Sequence, residues 1–251
     1  GVRNSIENAY AYYLAGVFRE GTGDYNNALV DYKRAYEINP KLTLLSKDIK
    51  RVEQKQRGQT QNKAEVVIAY EQGFIPPRRG LNLPVPTIHG YFAVEIPTYS
   101  GASSAAPPLR ISGAQQQTQT QVAAQLNAMA ARALKEQLPG ILVRQVLRAK
   151  VKYETQKQVN KELGAFAAFS TQMYNFISEQ ADLRSWLTLP ASAQVARFSI
   201  SPGEHTLTLS GNSGSSQVRI NAKPNSTILI RAVDGYGQLH TTVMPTLEVL
   251  P

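Results

Sequence analysis

Residues 12–40 read YYLAGVFREGTGDYNNALVDYKRAYEINP, and this stretch sets the architecture of the first part of the chain. Gly21, Gly23 and Asp24 interrupt it, because Gly accepts φ > 0 and Asp bonds back to its own backbone in turns. The spacing on either side predicts a helix over about Ser5–Arg19 and a second over about Tyr25–Ile38. Ala28, Tyr32 and Ala35 recur at i, i+4 and i+7 and line one face of the second helix. Asn39-Pro40 ends it, since Pro cannot continue the hydrogen-bond ladder and restricts the residue before it. A third helix is expected over about Leu42–Gln56, with Leu42, Leu45, Ile49 and Val52 on one side.

The run Tyr12, Gly16, Gly23-Asp24-Tyr25, Ala28, Tyr32, Ala35, Pro40 resembles one tetratricopeptide repeat, in which small residues let paired helices approach closely. The first half departs from the motif, with Ala15 where Leu is usual and Arg19 where an aromatic is usual. One such repeat cannot bury its own faces. Either further repeats precede Gly1, or this one packs onto the rest of the chain, with the third helix as a cap. The first helix of a repeat lines the concave groove, so the resemblance implies a partner-binding strip of Tyr10, Tyr13, Val17 and Glu20. The competing reading packs that strip on a neighbouring repeat or on the C-terminal domain.

Further on, residues 57–64 are polar, and Val66–Tyr70 is a short β-branched strand. Glu71-Gln72-Gly73-Phe74 reads as a turn. Leu81–Val85 and Tyr91–Ile96 are strands among Pro76, Pro77, Pro84, Pro86 and Pro97, a density that suits edges. Residues 97–121, small and polar with the run AQQQTQTQ, read as a linker with one strand at Leu109–Ser112. Helical period returns over 121–181. Val122, Leu126, Met129, Ala133 and Leu134 mark one helix ending near Pro139-Gly140, and Ile141–Leu163 marks a second, basic one. Phe166, Phe169, Met173, Phe176 and Ile177 then form an apolar stripe read as core. From Gln194 the period is two, with strands at Val195–Ile200, Thr206–Ser210, Gln217–Ile220, Ser226–Ala232 and Thr241–Leu247. Leu207 and Leu209 point inward, and turns fall at 201–204, 211–214, 224–225 and 234–235. The fold class is α+β: a tetratricopeptide-type hairpin with a capping helix over 1–58, then an antiparallel β-sandwich-like domain over 59–251. In that domain the strands of about 65–98 and 194–250 pair, and the helical insert of about 121–181 covers the second face.

The 251 residues hold 27 Lys and Arg against 18 Asp and Glu, and no Cys. Disulfides, thiolate metal sites and Cys nucleophiles are excluded. No apolar run approaches the roughly 20 residues of a membrane span. Position 1 is Gly and no signal sequence follows, which suits a processed protein or a fragment. The positive charge is concentrated: residues 41–80 carry nine basic and four acidic groups, and 132–162 carry eight and three. Arg144, Arg148, Lys150, Lys152 and Lys157 make a candidate patch for an anionic polymer, or else a solvated helix face. His89, His205 and His240 form no metal-ligand spacing, and neither a nucleophile elbow nor a phosphate-binding loop is present. No catalytic residue, cofactor or metal is predicted, and the chain is read as non-enzymatic. Asp182, Arg184 and the single Trp, Trp186, form either a structural corner or a partner anchor.

Three stretches, YYLAGVFREGTGDYNNALVDYKRAYEINP, VVIAYEQGFIPPR and ADLRSWLTLPASAQVARFSISPGEHTLTL, together resemble a family of bacterial envelope lipoproteins. Its members carry tetratricopeptide repeats before a mixed α/β C-terminal domain. They are often encoded beside a lipoprotein activator of a penicillin-binding peptidoglycan synthase. The resemblance implies a periplasmic location, with an outer-membrane lipid anchor and earlier repeats upstream of Gly1. It also implies a scaffold or adaptor that binds envelope proteins, in cell-wall synthesis for example. The alternatives are a structural subunit of a secretion or motility machine, and a module binding peptidoglycan or another anionic polymer. No motif for nucleic-acid recognition is present.

Overall fold

The computed structural model describes residues 7–59, 62–87, 90–99, 106–162 and 187–249. The chain is α+β and divides into two units, one of Gly1–Ile75, Ser103–Ala128 and Thr188–Pro251, the other of Pro76–Ala102 and Met129–Leu187.

The first unit opens with α1 (Ala9–Gly21), α2 (Tyr25–Ile38) and α3 (Leu44–Gln56). Asn8 caps α1, its side-chain oxygen accepting from the Tyr10 N–H at 3.0 Å. Ala28, Tyr32 and Ala35 are fully buried, as their spacing predicts. A Cβ on Gly16 would lie 2.7 Å from the Tyr32 ring, so only Gly lets α1 and α2 come this close. Leu42, Leu45 and Val52 seat α3. Asn39, at the end of α2, donates through Nδ2 to the carbonyls of Val122 and Ala123 at 3.0 and 3.1 Å, tying the hairpin to the sheet.

The central strand is β1 (Ala64–Gln72). In a five-stranded sheet it runs antiparallel to β7 (Ser192–Ile200) and parallel to β10 (Thr227–Gly235). The edges are β6 (Gln121–Ala124) and β11 (Gln238–Val243). A second, antiparallel sheet has the order β5 (Gln116–Gln119), β4 (Arg110–Gly113), β8 (Gly203–Gly211) and β9 (Gly214–Ala222). Val66, Ile68 and Tyr70 of β1 share one core with Ile111, Leu207, Leu209, Ile220 and Ile230, so the two sheets bury their facing sides together. The alternate residues of β1 face the helices, which is why VVIAY is apolar without alternating.

The second unit contains the hairpin β2 (Arg78–Thr87) and β3 (Gly90–Tyr99) and most of α4 (Leu126–Glu162). Arg78 Nε donates to the Tyr99 hydroxyl at 3.2 Å, with the guanidinium 5.8 Å from the ring centroid.

Several expectations are corrected. The hairpin helices and the sheets belong to one unit, so the boundary near residue 58 does not separate domains. On the face of the five-stranded sheet away from the shared core α1 meets β6 and β7, and the first residues of the expected 121–181 helical insert are the strand β6. The strands of 65–98 do not join one sheet, because among the described residues β2 pairs with β3 alone. The sheet system is not wholly antiparallel, since β1 lies between β7 and β10 and runs parallel to β10. The strand expected at Leu109–Ser112 is β4, the glutamine-rich run after it forms a second strand, β5, paired with it, and Pro139 lies inside α4 instead of ending a helix there.

Candidate functional site

The predicted groove strip is an interior face. Tyr13 and Val17 are 0% exposed, Glu20 1% and Tyr10 8%. The residues fall at i, i+3, i+7 and i+10 on one side of α1, and the chain's own sheet, through Glu71 and Arg197, and its helices α2 and α3, through Tyr32, Arg51 and Lys55, meet that side. The Tyr10 hydroxyl donates to Glu71 Oε1 on β1 at 3.0 Å, and Arg231 of β10 holds the other oxygen of Glu71 at 2.6 Å. Burial first, then the Glu71 carboxylate, push the Tyr10 hydroxyl well above its ordinary pKa, so it stays a donor. The strip is therefore not an open groove. It joins helix to sheet.

At its centre is a cluster of buried charge. Glu20 Oε1 accepts from Arg51 Nε and Lys55 Nζ, each at 2.9 Å, and from Arg197 at 3.0 Å. Its Oε2 accepts from Arg51, from the Tyr32 hydroxyl and from Arg197, all at 2.9 Å. Arg197 also donates through Nε to Glu65 at 2.9 Å and to the Tyr32 oxygen at 3.0 Å. Asp48 takes Arg51 at 2.7 Å, and Ser199 hydrogen-bonds Glu65. Burial opposes ionisation of Glu20, but Arg197, Arg51 and Lys55 outweigh it and hold the carboxyl well below the usual range. Burial likewise opposes ionisation of Glu65, and Arg197, Arg51 and the Ser199 hydrogen bond depress its pKa. The Tyr13 hydroxyl and one Asp48 oxygen are buried in this cluster without a hydrogen-bond partner among the described residues.

Sequence reasoning missed Arg197, Arg51, Asp48 and Glu65. The local signals are a charge inside an apolar or alternating strand, Arg197 in VARFSI and Glu65 in AEVVIAY, and the i, i+3 pair Asp48 and Arg51 on α3. Arg197 lies 177 residues from Glu20 and 132 from Glu65, which leaves no spacing to read.

The opposite side of α1 is different. Ala11, Leu14, Ala15 and Phe18 recur at i, i+3, i+4 and i+7; Ala11 is exposed, Leu14 and Ala15 are half-buried and Phe18 is 41% exposed. Beside α3 a cleft of about 280 Å³ is lined by Lys47, Lys50, Arg51, Lys55 and Lys63 together with Glu65. Arg51 and Lys55 are committed to Glu20, while Lys47, Lys50 and Lys63 are exposed and make no ion pair among the described residues.

Of the basic residues predicted on α4, Arg144 is exposed. By helical register positions 144, 148 and 152 share one side of α4, and positions 150 and 157 share another. Asp182, Arg184, Trp186 and the apolar stripe of 166–177 lie outside the described residues. Among the described residues no group of His, Cys, Asp and Glu could hold a metal ion, and no helix is long and apolar enough to cross a membrane. Comparison with family models, with curated proteins and with solved structures finds no match.

Proposed function

We propose that this chain is a non-enzymatic adaptor of the bacterial envelope, and that it docks a helix of a partner protein, or of a preceding repeat, on the outer face of α1. One observation carries the reading: α1 has two apolar faces. The face with Tyr10, Tyr13, Val17 and Glu20 is consumed by the sheet, and the face with Ala11, Leu14, Ala15 and Phe18 is left partly open. An apolar stripe at i, i+3, i+4 and i+7 is the surface a partner helix recognises. A tetratricopeptide array stacks through such faces, and the buried ion cluster would transmit a load from the docked helix to the sheets. The envelope location rests on the resemblance of residues 12–40, 66–78 and 181–209 described above.

The test is a photo-crosslinking amino acid at Phe18, and for comparison at buried Val17, in the full-length protein in its own envelope. The reading expects one or two discrete envelope proteins on Phe18 and none on Val17. Phe18→Asp should remove those adducts and leave the thermal midpoint within about 2 °C, since surface substitutions act within about 0.5 kcal/mol. Adducts mainly between copies of the chain would indicate a structural subunit of a larger assembly. No adduct at Phe18 would remove the docking face.

A further inference from the structure

A pocket of about 490 Å³ opens at one end of the first unit, where β1, β7 and β10 converge. Strand register builds it: Gln72 at the end of β1 lies opposite Ser192 of β7 on one side and Asp234 of β10 on the other. Its walls are fixed by hydrogen bonds. Gln194, fully buried, donates to the Pro107 carbonyl at 3.1 Å and accepts from the Thr120 hydroxyl at 2.6 Å. Asp234 Oδ2 accepts from the Tyr70 hydroxyl at 2.9 Å and from the backbone N–H groups of Asn212 and Ser213 at 2.8 and 3.2 Å, which pins the β8–β9 turn to β10. Gly211 permits that approach, since a Cβ there would lie 2.6 Å from Asp234 Oδ2.

Three features of this frame point to a ligand. Gln72 Oε1 and Ser192 Oγ are buried and have no hydrogen-bond partner among the described residues, and Ser192 is only 4% exposed. Native folds seldom leave such atoms unpaired unless water or a ligand completes them. Tyr236, in the two-residue turn between β10 and β11, is 90% exposed, with its ring 4.6 Å from that of Phe74. Among the described residues no lysine or arginine lines the pocket; its polar side chains are amides, hydroxyls and one carboxylate.

We propose that this pocket binds a neutral saccharide of one or two pyranose rings, stacked on Tyr236 and hydrogen-bonded by Gln72, Asn127, Ser192, Asn212 and Asp234. A pyranose presents a C–H face and an edge of hydroxyls. The negative face of an aromatic ring attracts the first. Amide and hydroxyl side chains, which donate and accept at once, match the second. A phosphate or carboxylate ligand would call for the cations this pocket lacks. The volume lies in the range of small-ligand sites. The pocket is separate from the α1 docking face, so either reading stands or falls without the other.

The experiment follows backbone amide resonances of the whole ¹⁵N-labelled chain on addition of chitobiose, of cellobiose and of inorganic phosphate. At least one disaccharide should move the amides of Asn212, Ser213, Gly235 and Gly237, with a dissociation constant of about 1 mM or tighter. Tyr236→Asn keeps a residue that tolerates positive φ ahead of Gly237 and removes the ring. It should weaken binding about tenfold and leave the thermal midpoint unchanged or higher. Silence with both disaccharides, a stronger response of the same amides to phosphate, or equal affinity in Tyr236→Asn would each overturn the assignment.

Discussion

Arg197 is the residue on which the joint between helices and sheet turns. Its side chain is 2% exposed and reaches Glu20 on α1, Tyr32 on α2 and Glu65 on β1. Isolated in this interior a carboxylate would be intolerable; surrounded by cations it is ionised and fixed. Arg197→Met removes the cation that Glu20 and Glu65 share and should cost about 3–5 kcal/mol, read as a fall in the urea midpoint. The same cluster sets an acid limit. Glu20 and Glu65 titrate lower in the folded chain than in the unfolded one. Their contribution is therefore complete above the unfolded carboxyl range, near pH 4.3, and is lost as pH falls below it toward the depressed folded values. Urea midpoints should drop steeply below about pH 4.3, and Glu20→Gln should be less stable at neutral pH with a shallower acid slope. A slope unchanged in Glu20→Gln would mean that other carboxylates govern acid unfolding.

At the scale of elements, local period was legible and long-range pairing was not. Tyr25–Ile38 is the helix its spacing predicts, and Leu207 and Leu209 are buried as their alternation requires. The stretch AQQQTQTQ misleads because its side chains carry no core signal: in β5 only Thr118 is even half-buried, and pairing with β4 supplies the order. Its turn gives no cue either. Ala114 and Gln115 sit at φ +49° and +58°, where Asn-Gly would ordinarily be found. Gln115 is exposed, so Gln115→Gly should relieve the strained conformation and stabilise the chain by about 0.5–1 kcal/mol, seen as a higher urea midpoint at unchanged slope. The apparent break at Pro139-Gly140 misleads in the opposite direction. Pro removes one backbone donor, and a helix of 37 residues, Leu126–Glu162, continues through the loss. The groove strip was legible as an apolar face and not as to what covers it, because Glu71 and Arg197, which meet it, lie 61 and 177 residues along the chain from their partners Tyr10 and Glu20.

At the scale of the molecule, the hairpin and the two sheets of the first unit share buried charge and buried area, and they should unfold together. Native-state hydrogen exchange is expected to give the interior amides of α1 and α2 the same opening free energy as those of β1 and β7. Earlier opening of the helices would show that the ion cluster does not couple them. The placement of β1 has a further consequence, for synthesis. Its neighbours are residues 192–200 and 227–235, so more than a hundred residues must be made after VVIAY before either is available. At the usual pace of a ribosome that is an interval on the order of ten seconds. During it a β-branched, uncharged segment, the kind that nucleates cross-β aggregation, has no native partner strand. The nascent chain is thus expected to need a holding chaperone until residues 192–235 emerge, and the yield of folded protein should depend on that chaperone more than on the stability finally reached.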